Sequence, residues 1–94
     1  MSLLSPDEIA ARLRQLSGWQ QADRAIRKQF AFEAFLDGIR FVDRVASVAE
    51  AADHHPDVDI RYTRVIMTLS THSAGGLTEK DFALAEQIDK LVKR

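Results

Sequence analysis

Cysteine is absent from this chain of 94 residues. That removes disulfides, thiol catalysis and thiolate metal sites at once. A basic excess is lacking too: 13 Lys and Arg stand against 14 Asp and Glu, for a net charge of -1. Phosphate neutralisation on the scale of nucleic acid binding is therefore not expected. Residues 1–7 hold neither a cationic region nor a long apolar run, so no signal peptide is expected there. No segment is long enough and apolar enough to cross a bilayer, and the expected compartment is the cytoplasm. Linkers, repeats and low-complexity tracts are missing, so residues 1–94 read as a single domain. Apolar residues make up 46% of the chain, enough for one core. A domain this short buries a modest share of its surface, and self-association would help it.

What is present is ordered by periodicity. Ser5, Pro6 and Glu8 are an N-cap, a first-turn proline and the far half of a capping box, and Leu4 and Ile9 stand at the staple positions. Ile9, Leu13 and Leu16 continue one apolar stripe, which Ser17-Gly18 stops. Trp19-Gln20-Gln21 reads as a short strand, followed by a turn near Ala22-Asp23-Arg24. Ile26, Lys28, Phe30 and Phe32 then alternate with Arg27, Gln29 and Ala31 as a strand, with Lys28 out of place on the apolar side. From Ala34 to Ala52 the period becomes helical, through Phe35, Ile39, Val42, Ala46 and Ala49. Phe41, Val45, Val48 and Ala52 widen the apolar face beyond what one sheet needs, so its flank is a candidate contact for another subunit.

Pro56 ends the helical region. Asp57–Tyr62 and Val65–Thr71 read as a hairpin. A Thr63-Arg64 loop pairs Tyr62 with Val65, Ile60 with Met67 and Val58 with Leu69, all apolar, and its extension sets His55 opposite His72. Gly75-Gly76 reads as a turn with positive φ. Thr78 and Asp81 form a second capping-box pair, Leu77 and Phe82 a second staple, and Phe82, Ala85, Ile88 and Val92 a last apolar stripe. The order α-β-β-α-β-β-α predicts an α+β fold in two layers, a four-stranded antiparallel sheet with helices packed on one face.

All three histidines fall in two places, Asp53-His54-His55-Pro56-Asp57 and Thr71-His72. Imidazole titrates near neutrality, so three of them beside carboxylates point to proton transfer. Two imidazoles on opposite sides of a flat substrate could give a proton to a leaving hydroxyl and take one from a ring nitrogen. Asp53 and Asp57 flank the pair and could orient or charge the rings. Plainer roles stand beside these: His54 complementing a helix C-terminus, His55 as a pre-proline turn residue, His72 as an exposed strand end. Zinc is the rival chemistry. Adjacent histidines diverge, however, and no His pair is spaced by three to five residues, so no metal site is expected. Gly75-Gly76 lacks the lysine of a phosphate loop. Asp81 alone reads as a cap.

Taken together, His54-His55-Pro56-Asp57, Tyr62, Leu69-Ser70-Thr71-His72 and Gly76-Leu77-Thr78-Glu79-Lys80-Asp81 closely resemble the pterin-4a-carbinolamine dehydratases. Gly18-Trp19, Ile26-Arg27-Lys28-Gln29-Phe30 and the stretch from Phe41-Val42 to Ala49-Glu50 extend the resemblance over residues 17–92. It implies dehydration of 4a-hydroxytetrahydropterins to quinonoid dihydropterins, which recycles a pterin cofactor, with neither metal nor organic cofactor. The catalytic set it implies is His54, His55 and His72, with His54 and His72 as the acid/base pair and His55 mainly binding. Asp53, His54 and His55 would line one side of the pocket and Ser70, Thr71, His72 and Ser73 the other, supported by Pro56, Asp57 and Asp81. It also implies a homo-oligomer, dimer or tetramer, and leaves open a non-catalytic pterin-binding or protein-partner module of the same fold; animal members also bind a homeodomain transcription factor. Val58 stands where the family usually has an aromatic, and Thr63 where it often has Asn.

Overall fold

The computed structural model describes residues 2–92. Helix α1 covers Pro6–Arg14, and both halves of the Ser5–Glu8 capping box are made. The Ser5 backbone N–H holds the Glu8 carboxyl below its usual range. Because the folded pKa lies below the unfolded one, this contribution is present at neutral pH and is lost as the pH falls through the acid range. The helix ends at Arg14, earlier than the apolar stripe through Leu16. Leu13 and Leu16 nonetheless pack against the core. Arg12 reaches Glu79 across to the last helix in an exposed ion pair, a type of contact that contributes little.

Strands β1 (Gln20–Ala22) and β2 (Ala25–Ala31) form the first antiparallel pair, turning through Asp23 at positive φ. Lys28 faces the core side without being an error in the pattern. Its ammonium donates to Asp89 at 2.9 Å and lies 4.9 Å from the centre of the Phe30 ring. The buried Trp19 indole N–H donates to the same carboxylate at 3.1 Å. The aliphatic stem of Lys28 can thus cover apolar surface while its charge is paired.

Helix α2 runs Phe35–Ala52, and its N-cap residue Ala34 makes no side-chain cap. Phe41, Val45 and Ala49 are buried on its inner face, while Val42 and Val48 pack partly buried against the same cluster. Of the residues that widen the apolar face, Phe41 and Val45 are buried in this chain's own core and Val48 is half-buried against it, while Ala52 is exposed. Gly38 lets the helix come close to the sheet, since a Cβ there would sit 3.3 Å from a Val65 methyl and 3.4 Å from the Phe32 ring. Val45→Glu would set a carboxylate in this core, a cost of several kcal/mol. Thermal melts should show it strongly destabilised, whereas Ala46→Glu on the exposed side should melt close to wild type.

Strands β3 (Asp57–Arg61) and β4 (Arg64–Leu69) form the second hairpin. Its register differs from the sequence expectation by two residues: Ile60 pairs with Val65, Val58 with Met67 and Arg61 with Arg64. The loop is Tyr62-Thr63, with Tyr62 at φ 54. A slip of two keeps every side chain on its face, so the apolar pattern is equally satisfied by both registers. The Thr63 carbonyl accepts the Phe32 N–H at 2.9 Å, which ties the turn to the end of β2. The sheet order is β1-β2-β4-β3, all antiparallel. Its buried face carries Ile26, Phe30, Val65, Met67 and Leu69, with the helices packed over it. Helix α3 (Glu79–Leu91) follows a 3-10 turn (His72–Ala74) and packs against α2.

Candidate active site

The C-terminus of α2, the end of β4 and the N-terminus of α3 meet at one end of the sheet. Asp53 closes α2 in the left-handed conformation, φ 51, and the chain reverses so that the His54 N–H bonds back to the Ala49 carbonyl at 3.1 Å. This turn points the two imidazoles apart. His54 is buried, and its Nε2 lies 2.6 Å from Asp81 Oδ1. His55 is exposed, and its Nε2 lies 2.8 Å from Glu50 Oε1.

Asp81 is 0% exposed. Besides His54 it accepts, on Oδ2, the Thr71 hydroxyl at 2.8 Å and the Thr78 backbone N–H at 2.9 Å. The Thr71 proton is committed to the carboxylate, so the Thr71 oxygen receives the Thr78 hydroxyl at 2.8 Å. Thr78 in turn accepts the Lys80 N–H at 3.3 Å. A buried carboxylate is tolerated because donors meet both oxygens and because it sits in the first turn of a helix. Asp81 is thus both the cap that its spacing predicted and the partner of His54. Facing a carboxylate, His54 Nε2 carries hydrogen, which leaves Nδ1 with the lone pair that can take a proton.

His72 is exposed and opens the 3-10 turn instead of extending β4. The turn ends at Gly75, φ 78, as the Gly75-Gly76 pair implied, and the Thr71 N–H donates to the Gly76 carbonyl at 2.9 Å. His72 borders an open cleft of about 410 Å³ together with Asp57, Thr68, Ser70 and Arg24. His54 and His72 are linked in the order His54, Asp81, Thr71, and then the peptide bond to His72. The structure therefore brings Thr71, rather than His72, onto the carboxylate that holds His54.

Several expected roles change. Asp53 and Asp57 were the carboxylates expected to orient the imidazoles; Asp81 and Glu50 do so instead. Asp53 is spent as a helix terminus, and Asp57 pairs with Thr68 on the sheet face away from the helices. His55 does not stand opposite His72, because the hairpin register is two residues shorter. Ser70 lies at the cleft, but its hydroxyl donates to the Arg24 carbonyl at 2.7 Å and fastens β4 to the β1–β2 turn. Pro56 is half-buried and Ser73 exposed. Glu50 is the residue that single-sequence reading passed over. Its signal was its place in the last turn of α2, four and five residues before the two histidines.

The chain is thus a small two-layer α+β protein with a buried His–Asp pair at one end of its sheet. The family model for pterin 4 alpha carbinolamine dehydratase matches residues 2–91. A protein of Mycobacterium sp. (strain KMS), provisionally named pterin-4-alpha-carbinolamine dehydratase, is 52% identical over 94 residues, all of both chains. One of Roseiflexus castenholzii with the same provisional name is 53% identical over 91 residues, 97% of this chain and 98% of its own. The crystal structure of a transcriptional coactivator/pterin dehydratase from Brucella melitensis superposes with a TM-score of 0.93 at 38% identity, over 97% of this chain and 99% of that one. A pterin dehydratase-like protein identified as a RuBisCO assembly factor in the alpha-carboxysome gives 0.65 at 28% identity, over 79% and 86%. The chain belongs to the pterin-4a-carbinolamine dehydratase family.

Proposed function

We propose that this protein dehydrates a 4a-hydroxytetrahydropterin to the quinonoid dihydropterin and water, as a step in pterin cofactor recycling, by histidine acid/base catalysis. The observation that carries the reading is the buried His54–Asp81 pair, with Thr71 on its other oxygen and His72 next in the chain. In the reaction one imidazole takes the proton from the pterin ring nitrogen. The electron pair left behind forms the carbon–nitrogen double bond as the carbon–hydroxyl bond breaks. The second imidazole gives its proton to the leaving hydroxyl, so water departs and no proton is gained or lost overall. His54 and His72 are assigned these two roles. His54 is held in one tautomer by Asp81, while His72 stands at the open cleft.

His55, exposed and tied to Glu50, is assigned to binding, with Asp53, Ser70, Thr71 and Ser73 around the pocket and Pro56, Asp57 and Asp81 in support. His55→Ala should raise KM several-fold with kcat little changed, read in steady-state assays with a 4a-hydroxypterin; a kcat loss as deep as that of His72→Ala would place His55 in the proton path instead.

The reading takes no metal. His54 and His55 commit their Nε2 atoms to different carboxylates, and among the described residues no three His or acidic side chains converge as an ion would need. Activity is expected to survive exhaustive chelation, and elemental analysis of active protein should find no stoichiometric zinc. Stoichiometric zinc, with activity lost on its removal, would defeat this part of the reading. We also take the protein to be cytoplasmic, one domain over residues 1–94 and a homo-oligomer, dimer or tetramer, without direct nucleic acid binding. Among the described residues no helix is long and apolar enough to cross a membrane.

A second reading is a non-catalytic pterin-binding or protein-partner module. It is favoured by the solved relatives described as a transcriptional coactivator and as a RuBisCO assembly factor. A dehydration assay with purified protein separates the two: turnover well above the spontaneous rate supports the enzyme, and pterin binding without turnover supports the module.

A further inference from the structure

A second cleft, of about 450 Å³, is lined by Phe32, Glu33, Asp37, Arg40, Arg44 and Val92. It lies beyond the Ala31–Arg64 end of the β2–β4 pair, whereas the histidines gather at the Ile26–Leu69 end. Its volume falls in the range of about 300–1,000 Å³ that small-molecule sites occupy. Asp37, Arg40 and Arg44 stand three and four residues apart, on one face of α2. Asp37 and Arg40 form an exposed pair at 3.4 Å. Arg44 is half-buried and its Nε fully buried, yet among the described residues this donor has no hydrogen-bond partner. Nor does any ion pair of the described residues include Arg44 or Glu33. The cleft thus holds one cation and one carboxylate that are paired neither with each other nor with another described charge. The half-buried Phe32 and the exposed Val92 give it an apolar wall.

We propose that this cleft binds an apolar α-amino acid as its zwitterion, at a site separate from the histidines. The Arg44 guanidinium presents its Nε and one terminal nitrogen as a planar fork, which a carboxylate meets with two parallel bonds. The buried Nε gains the acceptor it lacks, and a buried donor left unpaired is destabilising. Glu33 receives the ammonium group. The apolar side chain of the ligand lies against Phe32 and Val92. Charge singles out this ligand. Around the cleft the guanidiniums of Arg40 and Arg44 are balanced by the carboxylates of Glu33 and Asp37. A phosphate or other dianion would meet repulsion from the carboxylates as well as attraction. A zwitterion carries the same balance as the cleft and can answer Arg44 and Glu33 together. The proposal is independent of the pterin chemistry, because no residue of this cleft belongs to the histidine site.

Isothermal titration calorimetry of the full chain tests this. The probes are L-leucine, isocaproate and isoamylamine; the last two keep its apolar body and one charge each. L-leucine should bind with a Kd of about 1 mM or tighter. Each single-charge analogue should bind about tenfold or more weakly than L-leucine, the worth of one hydrogen-bonded charge. Arg44→Gln should weaken L-leucine by about tenfold or more and abolish its advantage over isoamylamine. Glu33→Gln should weaken it as well and abolish its advantage over isocaproate. Misfolding would not produce that crossed pattern, and circular dichroism of both variants should match wild type. If Arg44→Gln fails to fold, Glu33→Gln, at an exposed position, still carries the test. No binding of L-leucine at about ten times that concentration, or binding unchanged in the variants, overturns the site. Isocaproate binding as tightly as L-leucine overturns the amino acid as its ligand.

Discussion

His54→Ala and His72→Ala are each expected to lower dehydration turnover by about 10²–10⁴-fold, the usual worth of a positioned acid or base. The two should differ in stability. His72 is exposed at the cleft, so its removal should leave the melting curve almost unmoved. His54 is buried on Asp81, and truncation removes one of three donors to a carboxylate that stays buried. That variant should lose about 1–3 kcal/mol as well, visible as a lower denaturant midpoint. Turnover must therefore be measured where both variants are folded. Near-normal kcat in both, at saturating pterin, would show that neither imidazole moves the proton, and the module reading would then stand.

Asp81→Ala should be the most damaging single change for its size. It leaves the Thr78 N–H, the Thr71 hydroxyl and His54 Nε2–H without their shared acceptor. Each stranded buried donor costs about 1–3 kcal/mol, and the charge in the first turn of α3 goes too. A loss of about 3 kcal/mol or more would lower Tm by more than about 10 °C in a domain of this size. Asp81→Asn separates structure from chemistry. Oδ2 must accept two donors, so the amide oxygen belongs there and the amide nitrogen must face His54. That nitrogen donates, which forces His54 Nε2 to accept and moves its hydrogen to Nδ1. We expect Asp81→Asn to keep most of the stability while losing turnover by on the order of 10²-fold or more. Full activity in Asp81→Asn would show that the tautomer of His54 is irrelevant and that Asp81 is only a cap.

The site was half legible in the residues. Chemistry singled out His54, His55 and His72, spacing offered Asp81 only as a cap, and the resemblance added Asp81 in support. The wrong step was to give the orienting role to the nearest carboxylates, Asp53 and Asp57. Nearness in sequence carries little weight at a helix end: Asp53 takes the left-handed terminus that lets the chain turn, and Pro56 then starts an extended strand whose alternation sends Asp57 to the other face. Glu50, one turn back on the same helix, meets His55 Nε2 at 2.8 Å.

Features that depend on neighbours within about four residues were legible in the residues. The Ser5–Glu8 and Thr78–Asp81 boxes both form as their spacing required. The positive φ of Gly75 and the alternation of β2 were read the same way. These elements followed because caps, turns and periodicity are satisfied by the segment's own backbone. The hairpin register was not legible in this way, because two registers differing by two residues bury the same face and local pattern does not choose between them. The tertiary structure alone decided that Asp81 would meet an imidazole 27 residues away in the chain. It also left Val58 and Ile60 uncovered, because the apolar alternation of a strand marks a face to be buried but does not say whether this chain's own helices reach far enough to cover it.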